Sequence, residues 1–428
     1  MAMPASLIIL VCFAAVLILN RIRLPLSLSL FLGGLALGFW SGMVPAAVVS
    51  SVLRSVSQWE TVYLLIVIIL ILVISRLMET SGHLQRIVYA FVLVVKDRRA
   101  VSALVPALIG VFPVPGGALF SAPLVQKAVG ELELPGERKA VINYWFRHVW
   151  EYWWPLYPGL ILAVSLLGVP VWRVMLVQFP LAVFCVVAGT VFLLRPVKER
   201  GRRKGPPLAF ESFTTLLWEI VPILLVVGVI ALSTLSLRQL QGAGVAIELP
   251  REIPVLLGLL LGILWVIKVN KITAAAAAGC FFDRRLLKFI FLVLAVMIFK
   301  GVLEASGIVG TIKEELVAYR IPTLLIVAIL PLVSGLVTGI AIGFVGASFP
   351  VILPLLGDIP PLALLAYAAL AYSFGYMGMM LSPVHLCFVV SKDYFKAGFP
   401  SSYRLLIKPV ILVLFLSMFY AFLLIKIA

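Results

Sequence analysis

The chain is a succession of long apolar runs separated by short polar connections. Runs at 4–19, 26–43, 61–75, 139–167 and 174–194 are followed by runs at 214–236, 253–267, 286–303, 362–390 and 405–425. Each has the polarity of a helix crossing a bilayer, for which about 20 apolar residues suffice. The pattern therefore predicts ten membrane spans. Two further segments, 100–129 and 321–356, are too long for one crossing and are interrupted in the middle by Pro or Gly. They read as re-entrant hairpins that enter and leave on the same side. The stretches 83–96 and 309–319, just ahead of each hairpin, mix polar and apolar residues and suit short helices lying along the interface.

The pattern is written twice. Leu24-Pro25 returns as Leu249-Pro250, Gly33 as Gly258 and Trp40 as Trp265, always 225 residues later (249 − 24 = 225). Glu79-Thr80-Ser81-Gly82 returns as Glu304-Ala305-Ser306-Gly307; Pro106, Gly110 and Pro158 match Pro331, Gly335 and Pro383. Pro, Gly, Trp and Glu hold the register, so it is not an accident of Leu-rich sequence. The expected fold is an all-α polytopic membrane protein of two repeats, each with five transmembrane spans and one re-entrant hairpin. Residues 1–196 form the first repeat, 197–212 a cytoplasmic linker and 213–428 the second. Five spans per repeat is odd, so the second copy starts on the opposite side and the repeats are inverted, as in many secondary transporters.

Composition agrees with lipid as the solvent. Of 428 residues 63% are hydrophobic and 12% are charged, with a mean hydropathy of +1.18, against roughly 25% charged in soluble domains. No cleavage site follows the first apolar run, so 4–19 is expected to be an uncleaved span of a multi-pass protein of the cell (inner or plasma) membrane. The net charge of +16 reflects topology and not nucleic-acid binding. With the N-terminus outside, most Lys and Arg fall on the cytoplasmic face, including the run from Arg195 to Lys204. Cys12, Cys185, Cys280 and Cys387 are scattered without a Cys-x-x-Cys pair, so neither a metal site nor a disulfide framework is expected.

Chemistry concentrates at the interruptions. In the first hairpin, Pro113 and Pro115 withhold helical donors, and Gly116-Gly117 permit a tight reversal. Free amides at the start of the helix from Gly117 form an anion site, with Ser121 one turn along; free carbonyls ahead of it suit a sodium ion. The second hairpin offers Ser334, Thr338, Gly339 and Ser348. The richest segment runs from Asn143 to Gly159. On a continuous helix Tyr144, Arg147, His148 and Glu151 share one face, before Pro155 and Pro158 break the span beyond them near Tyr157. Charges within a span are costly and mark cavities or partners. Arg147 is assigned to an anionic group, and His148 or Glu151 to proton coupling or to orienting Arg147. The bland alternative is a Trp-rich belt holding an internally neutralised Arg-Glu pair. The counterpart in the second repeat carries Tyr372, Ser373, Tyr376, Ser382 and His385 but no Arg or Glu. Glu79 and Glu304, beside Ser-Gly turns, read as helix-end residues. Glu219 is an isolated acid with no evident role.

Pro113-Val-Pro-Gly-Gly-Ala-Leu-Phe-Ser-Ala-Pro-Leu-Val125, together with 143–159, resembles the signature of an uncharacterised prokaryotic membrane family. It is catalogued as domain of unknown function 401 and grouped with the ion-transporter superfamily. The resemblance covers nearly the whole chain. It implies an inverted-repeat carrier similar to the dicarboxylate/sodium and citrate carriers, with a transport domain sliding in elevator fashion beside a dimerising scaffold, hence a homodimer. Those carriers place Ser-Asn-Thr at their hairpin tips; here stand Pro113-Val114-Pro115-Gly116-Gly117 and Val337-Thr338-Gly339-Ile340, so sodium coordination and dicarboxylate specificity do not carry over.

The expectation is a secondary active transporter of a small, anionic, carboxylate-like solute, coupled to Na+ or H+, with no cofactor and no enzymatic activity. The competing classes are an intramembrane enzyme using His148 and Glu151 as acid and base, and a channel. No His-Glu-x-x-His, Gly-x-Ser-x-Gly or nucleotide-binding motif is present, which speaks against the enzyme and against an ATP-driven pump.

Overall fold

A computed structural model describes residues 4–83, 85–87, 95, 97–113, 117–128, 134–197, 210–242 and 253–428. Among these, regular structure is helical and there are no strands. Six helices are long and apolar enough to cross a membrane: Trp59–Thr80, Val171–Leu194, Leu217–Leu237, Leu286–Ala305, Pro361–Met380 and Phe399–Ile427. The pair Ile308–Ala318 and Thr323–Thr338, bent by 118°, makes a seventh if counted as one. That bend turns the helix of the expected 309–319 stretch away from the hairpin it precedes. The protein is therefore a membrane-embedded helical protein, by the length and composition of its helices.

The structure revises the expected ten spans. Ala5–Arg21, Leu26–Trp40 and Ile253–Val269 are apolar but only 17, 15 and 17 residues long. The stretch 139–167, expected as a broken helix, is two helices, Gly136–Arg147 and Pro158–Leu167. The stretch 362–390, also expected as a broken helix, divides into Pro361–Met380 and Leu386–Tyr394. A helix that hydropathy alone overlooks, Pro45–Ser57, starts at a proline in the first turn and buries Val48, Ser51 and Ser55. Most of the expected linker 197–212 and of the 83–96 stretch lies outside the described residues.

The 225-residue register extends from residues to helix ends. Trp59–Thr80 and Arg284–Ala305 are offset by 284 − 59 = 225 and 305 − 80 = 225. Gly136 and Pro361, where the broken helices begin, have the same offset (361 − 136 = 225). The Ser-Gly turns repeat in conformation too. Gly82 and Gly307 have φ of 71° and 68°, the left-handed conformation that ends helices. Glu79 binds Arg76 at 2.8 Å, as a helix-end residue does.

Packing is reciprocal. Leu26–Trp40 packs on Arg284–Ala305, and Ile253–Val269 packs on Trp59–Thr80. The hairpin helix Ala118–Ala128 touches Leu386–Tyr394 of the other half, while Ala341–Leu356 touches Pro158–Leu167. Each hairpin thus reaches across to the second piece of the opposite broken helix, so the two breaks face one another. Near the end of Trp59–Thr80, His83 and Arg86 clamp the buried Glu219: Arg86 Nε donates to its carboxylate at 2.7 Å, and His83 Nε2 lies 2.6 Å from its carbonyl oxygen. Arg86 also donates to Asn270 at 2.6 Å. Burial pushes the His83 imidazole below its ordinary value, so the ring donates to that carbonyl as a neutral group. The acid that looks isolated in sequence is a structural pin.

Candidate functional site

The first break begins where Gly136–Arg147 ends and lasts until Pro158 restarts the helix as its first residue, a position where proline's missing N–H costs nothing. Ten irregular residues, most of them buried, leave carbonyls that need donors. The second broken helix supplies them. The Tyr372 hydroxyl donates to the Glu151 carbonyl at 2.8 Å, and the Tyr376 hydroxyl donates to the His148 carbonyl. Trp150 Nε1 donates to the Ala107 carbonyl at 2.7 Å, and the Tyr157 hydroxyl to that of Gly110. The expectation that His148 and Glu151 continue one helical face is corrected: the helix stops at Arg147. Both still converge with it on one cavity, because the break curls back.

That cavity, of about 160 Å³, is lined by Arg147, His148, Glu151 and Tyr157 from the first break and by Gly339, Ile340, His385 and Cys387 from the second repeat. At about 30 Å³ per water, it holds a few waters or one small solute. Arg147 and His148 are 2% and 1% exposed, so the charge is held out of bulk solvent. A Cβ on Gly117 would fall 2.3 Å from Arg147 Nη2; the guanidinium therefore lies flat against this residue. The Gly117 carbonyl accepts from the amides of Phe120 and Ser121, so Gly117 caps the helix Ala118–Ala128. A cation thus faces the positive end of a helix dipole.

The histidines meet across the repeats. His148 Nδ1 lies 2.6 Å from the Tyr144 carbonyl oxygen, and His148 Nε2 lies 3.0 Å from His385 Nε2. The network assigns the protons. Nδ1–H of His148 donates to the carbonyl, leaving its Nε2 to accept from Nε2–H of His385. Glu151 Oε1 is 3.8 Å from His148 Nε2. On the second hairpin, Gly339 has φ of 65°, which only glycine adopts readily. A Cβ there would lie 2.9 Å from Ser382 Oγ, so the hairpin tip is tucked against the second break.

The structure sorts the sequence candidates by position. Arg147, His148, Glu151, Tyr157, Gly339 and His385 line the cavity, with Gly117 behind Arg147 and Ser382 behind Gly339. Tyr372 and Tyr376 do not line it; their hydroxyls serve the break, and Ser373 Oγ bonds Tyr152 at 3.0 Å. Asn143 Nδ2 donates to the Ala118 carbonyl and Ser391 Oγ at 3.2 and 2.8 Å, joining the two halves. Ser121, Thr338 and Ser348 donate to carbonyls of their own helices. Ser334 is buried, its hydroxyl without a partner among the described residues. Pro115 and Gly116 lie outside the described residues. Sequence reasoning missed Cys387. The signal was its spacing, two residues after His385 and directly beyond the Ser382-Pro383 interruption.

Residues 3–425 match the family model described as protein of unknown function (DUF401). The chain belongs to that family. No curated protein matches it.

Proposed function

We propose that this member of the family is a secondary active transporter of a small carboxylate-like anion, working by alternating access between two inverted repeats, with H+ or Na+ as the coupling ion. One observation carries the reading: the Arg147 guanidinium is buried against the capped start of Ala118–Ala128. Two positive ends held together away from bulk solvent are stabilised by an anion beside them. Arg presents a planar fork that matches a carboxylate. The reciprocal packing of hairpins and broken helices supports inversion, since each half supplies one tip and one break to the same cavity. The His148–His385 contact and Glu151 lend weight to protons, because they bring three protonatable groups to one cavity. An elevator-type movement and a homodimer follow from the resemblance to the carboxylate carriers.

The test is thermal stabilisation of the purified chain by acetate, succinate and lactate, in sodium and in potassium, across pH. A bound anion raises the melting temperature by mass action. Arg147→Lys keeps the charge and loses the fork, so the shift should vanish while the protein still inserts and purifies. If the double variant Arg147→Gln with Glu151→Gln retains the full anion shift, Arg147 only neutralises Glu151 and the reading fails.

A further inference from the structure

The two histidines meet Cys387, a thiol to which the transport reading gives no role. One ring nitrogen of His148, one of His385 and Cys387 Sγ all lie within 4.8 Å of one another, and all three residues are buried. We propose that they hold a thiophilic divalent cation of the zinc class, with Glu151 as the nearest carboxylate for a fourth position. This inference stands whether or not the chain is a transporter.

The geometry fits the ion closely. Zinc binds imidazole nitrogen at about 2.0–2.1 Å and thiolate sulfur at about 2.3 Å, tetrahedrally. Two nitrogens on such an ion stand roughly 3.4 Å apart. The two Nε2 atoms are already 3.0 Å apart; the ion needs them opened by a few tenths of an ångström, the rings turned so that both lone pairs converge, and the thiolate drawn in. His148 is held as metal-bound histidines are: its Nδ1–H is committed to the Tyr144 carbonyl at 2.6 Å, which leaves Nε2 bare and fixes the ring. His385 and Cys387 come from the start of Leu386–Tyr394, where backbone N–H groups favour a negative sulfur ligand. Glu151 Oε1 stands 3.8 Å from His148 Nε2.

Charge also balances. A thiolate and a carboxylate neutralise a divalent ion, and the Arg147 guanidinium, turned toward Gly117, then faces a neutral cluster. Binding through Nε2 moves the His385 proton to its Nδ1, so the ring stays neutral, and releases the thiol proton, so metal uptake weakens as pH falls. The ligands come from both repeats, one from the first break and two from the second. A bound ion therefore cross-links the halves of the cavity and competes with any solute that must move between them.

Cobalt(II) is the probe, titrated into the full chain in detergent without any carboxylate. One equivalent should produce a sulfur-to-cobalt charge-transfer band together with the visible bands of a tetrahedral ion, and one equivalent of zinc should erase both. Cys387→Ser should lose the charge-transfer band, whereas Cys12→Ser should keep it. In the unmodified chain, zinc should slow alkylation of Cys387 by a small membrane-permeant reagent over long exposure, read by peptide mass, a measurement independent of how the variants fold. Absence of the band in the wild type, its survival in Cys387→Ser, or alkylation unaffected by zinc would each overturn the site. Because no carboxylate is present, these results are distinguishable from a failure of the transport reading.

Discussion

At the scale of single residues, two glycines of the first hairpin make opposite demands. A Cβ on Gly110 would lie 1.9 Å from the Arg147 carbonyl oxygen. Backbone cannot step aside, so Gly110→Ala should lower the melting temperature by the overpacking cost of about 1–3 kcal/mol or more. At Gly117 the clash is with the end of the flexible Arg147 side chain. Gly117→Ala should therefore displace the guanidinium, abolish the carboxylate-dependent thermal shift and leave the unliganded melting temperature nearly unchanged. Gly310→Ala, with nothing within 4 Å of the added atom, is the control. A reversed pattern at Gly117, with lowered stability and a preserved shift, would move the anion site away from this hairpin. The sequence marked Gly117 as a turn glycine and Gly110 only as a position repeated at Gly335. What each glycine meets was not visible there, because Arg147 is remote in sequence and reaches them only through the fold.

Helical elements explain why hydroxyl-rich sequence need not be binding sequence. The second broken helix carries Tyr372 and Tyr376 one turn apart, and both hydroxyls satisfy carbonyls of the first break. Losing the Tyr372 donor leaves the buried Glu151 carbonyl unpaired, at about 1–3 kcal/mol, whereas the His148 carbonyl keeps the Glu151 amide at 3.1 Å and loses one of two bonds. Tyr372→Phe and Tyr376→Phe should each lower the melting temperature while preserving the carboxylate shift. If either variant instead kept its stability and lost the shift, the tyrosines would be solute ligands. The sequence distinguished helix-breaking residues from their surroundings and so located the breaks to within a turn or two. It placed the first break near Pro155, whereas the helix ends at Arg147. Tertiary donors from the other repeat allow the irregular backbone to begin a turn or two before its prolines.

The whole molecule hangs on the arrangement of its two halves. The helix Phe210–Gly242 has 33 residues, about 50 Å at 1.5 Å per residue, against a hydrocarbon core of about 30 Å. Its ends should therefore lie on opposite sides of the membrane. With the basic linker inside, an impermeant thiol reagent applied from outside should label Gln241→Cys and miss Ser212→Cys. The four native cysteines are buried and keep the background low. Labelling at both positions would refute the inverted arrangement. Large apolar side chains on Phe399–Ile427, such as Phe415, Phe419 and Phe422, are more than half exposed, consistent with contact to lipid or to a second copy.

The sequence by itself determined the solvent, the helical class, the duplication and the two interruptions in each half. These follow from local physics: apolar length, positive charge near helix ends, and the refusal of Pro and Gly to continue a helix. It also singled out Arg147, His148 and Glu151, because buried charge is too costly to be incidental. Only the tertiary structure decided which groups share a cavity. His385 and Cys387 meet His148 across more than two hundred residues of chain because each hairpin packs on the opposite broken helix. No local pattern encodes that pairing. It arises where two similar halves, each with polar backbone it cannot satisfy alone, close around one another.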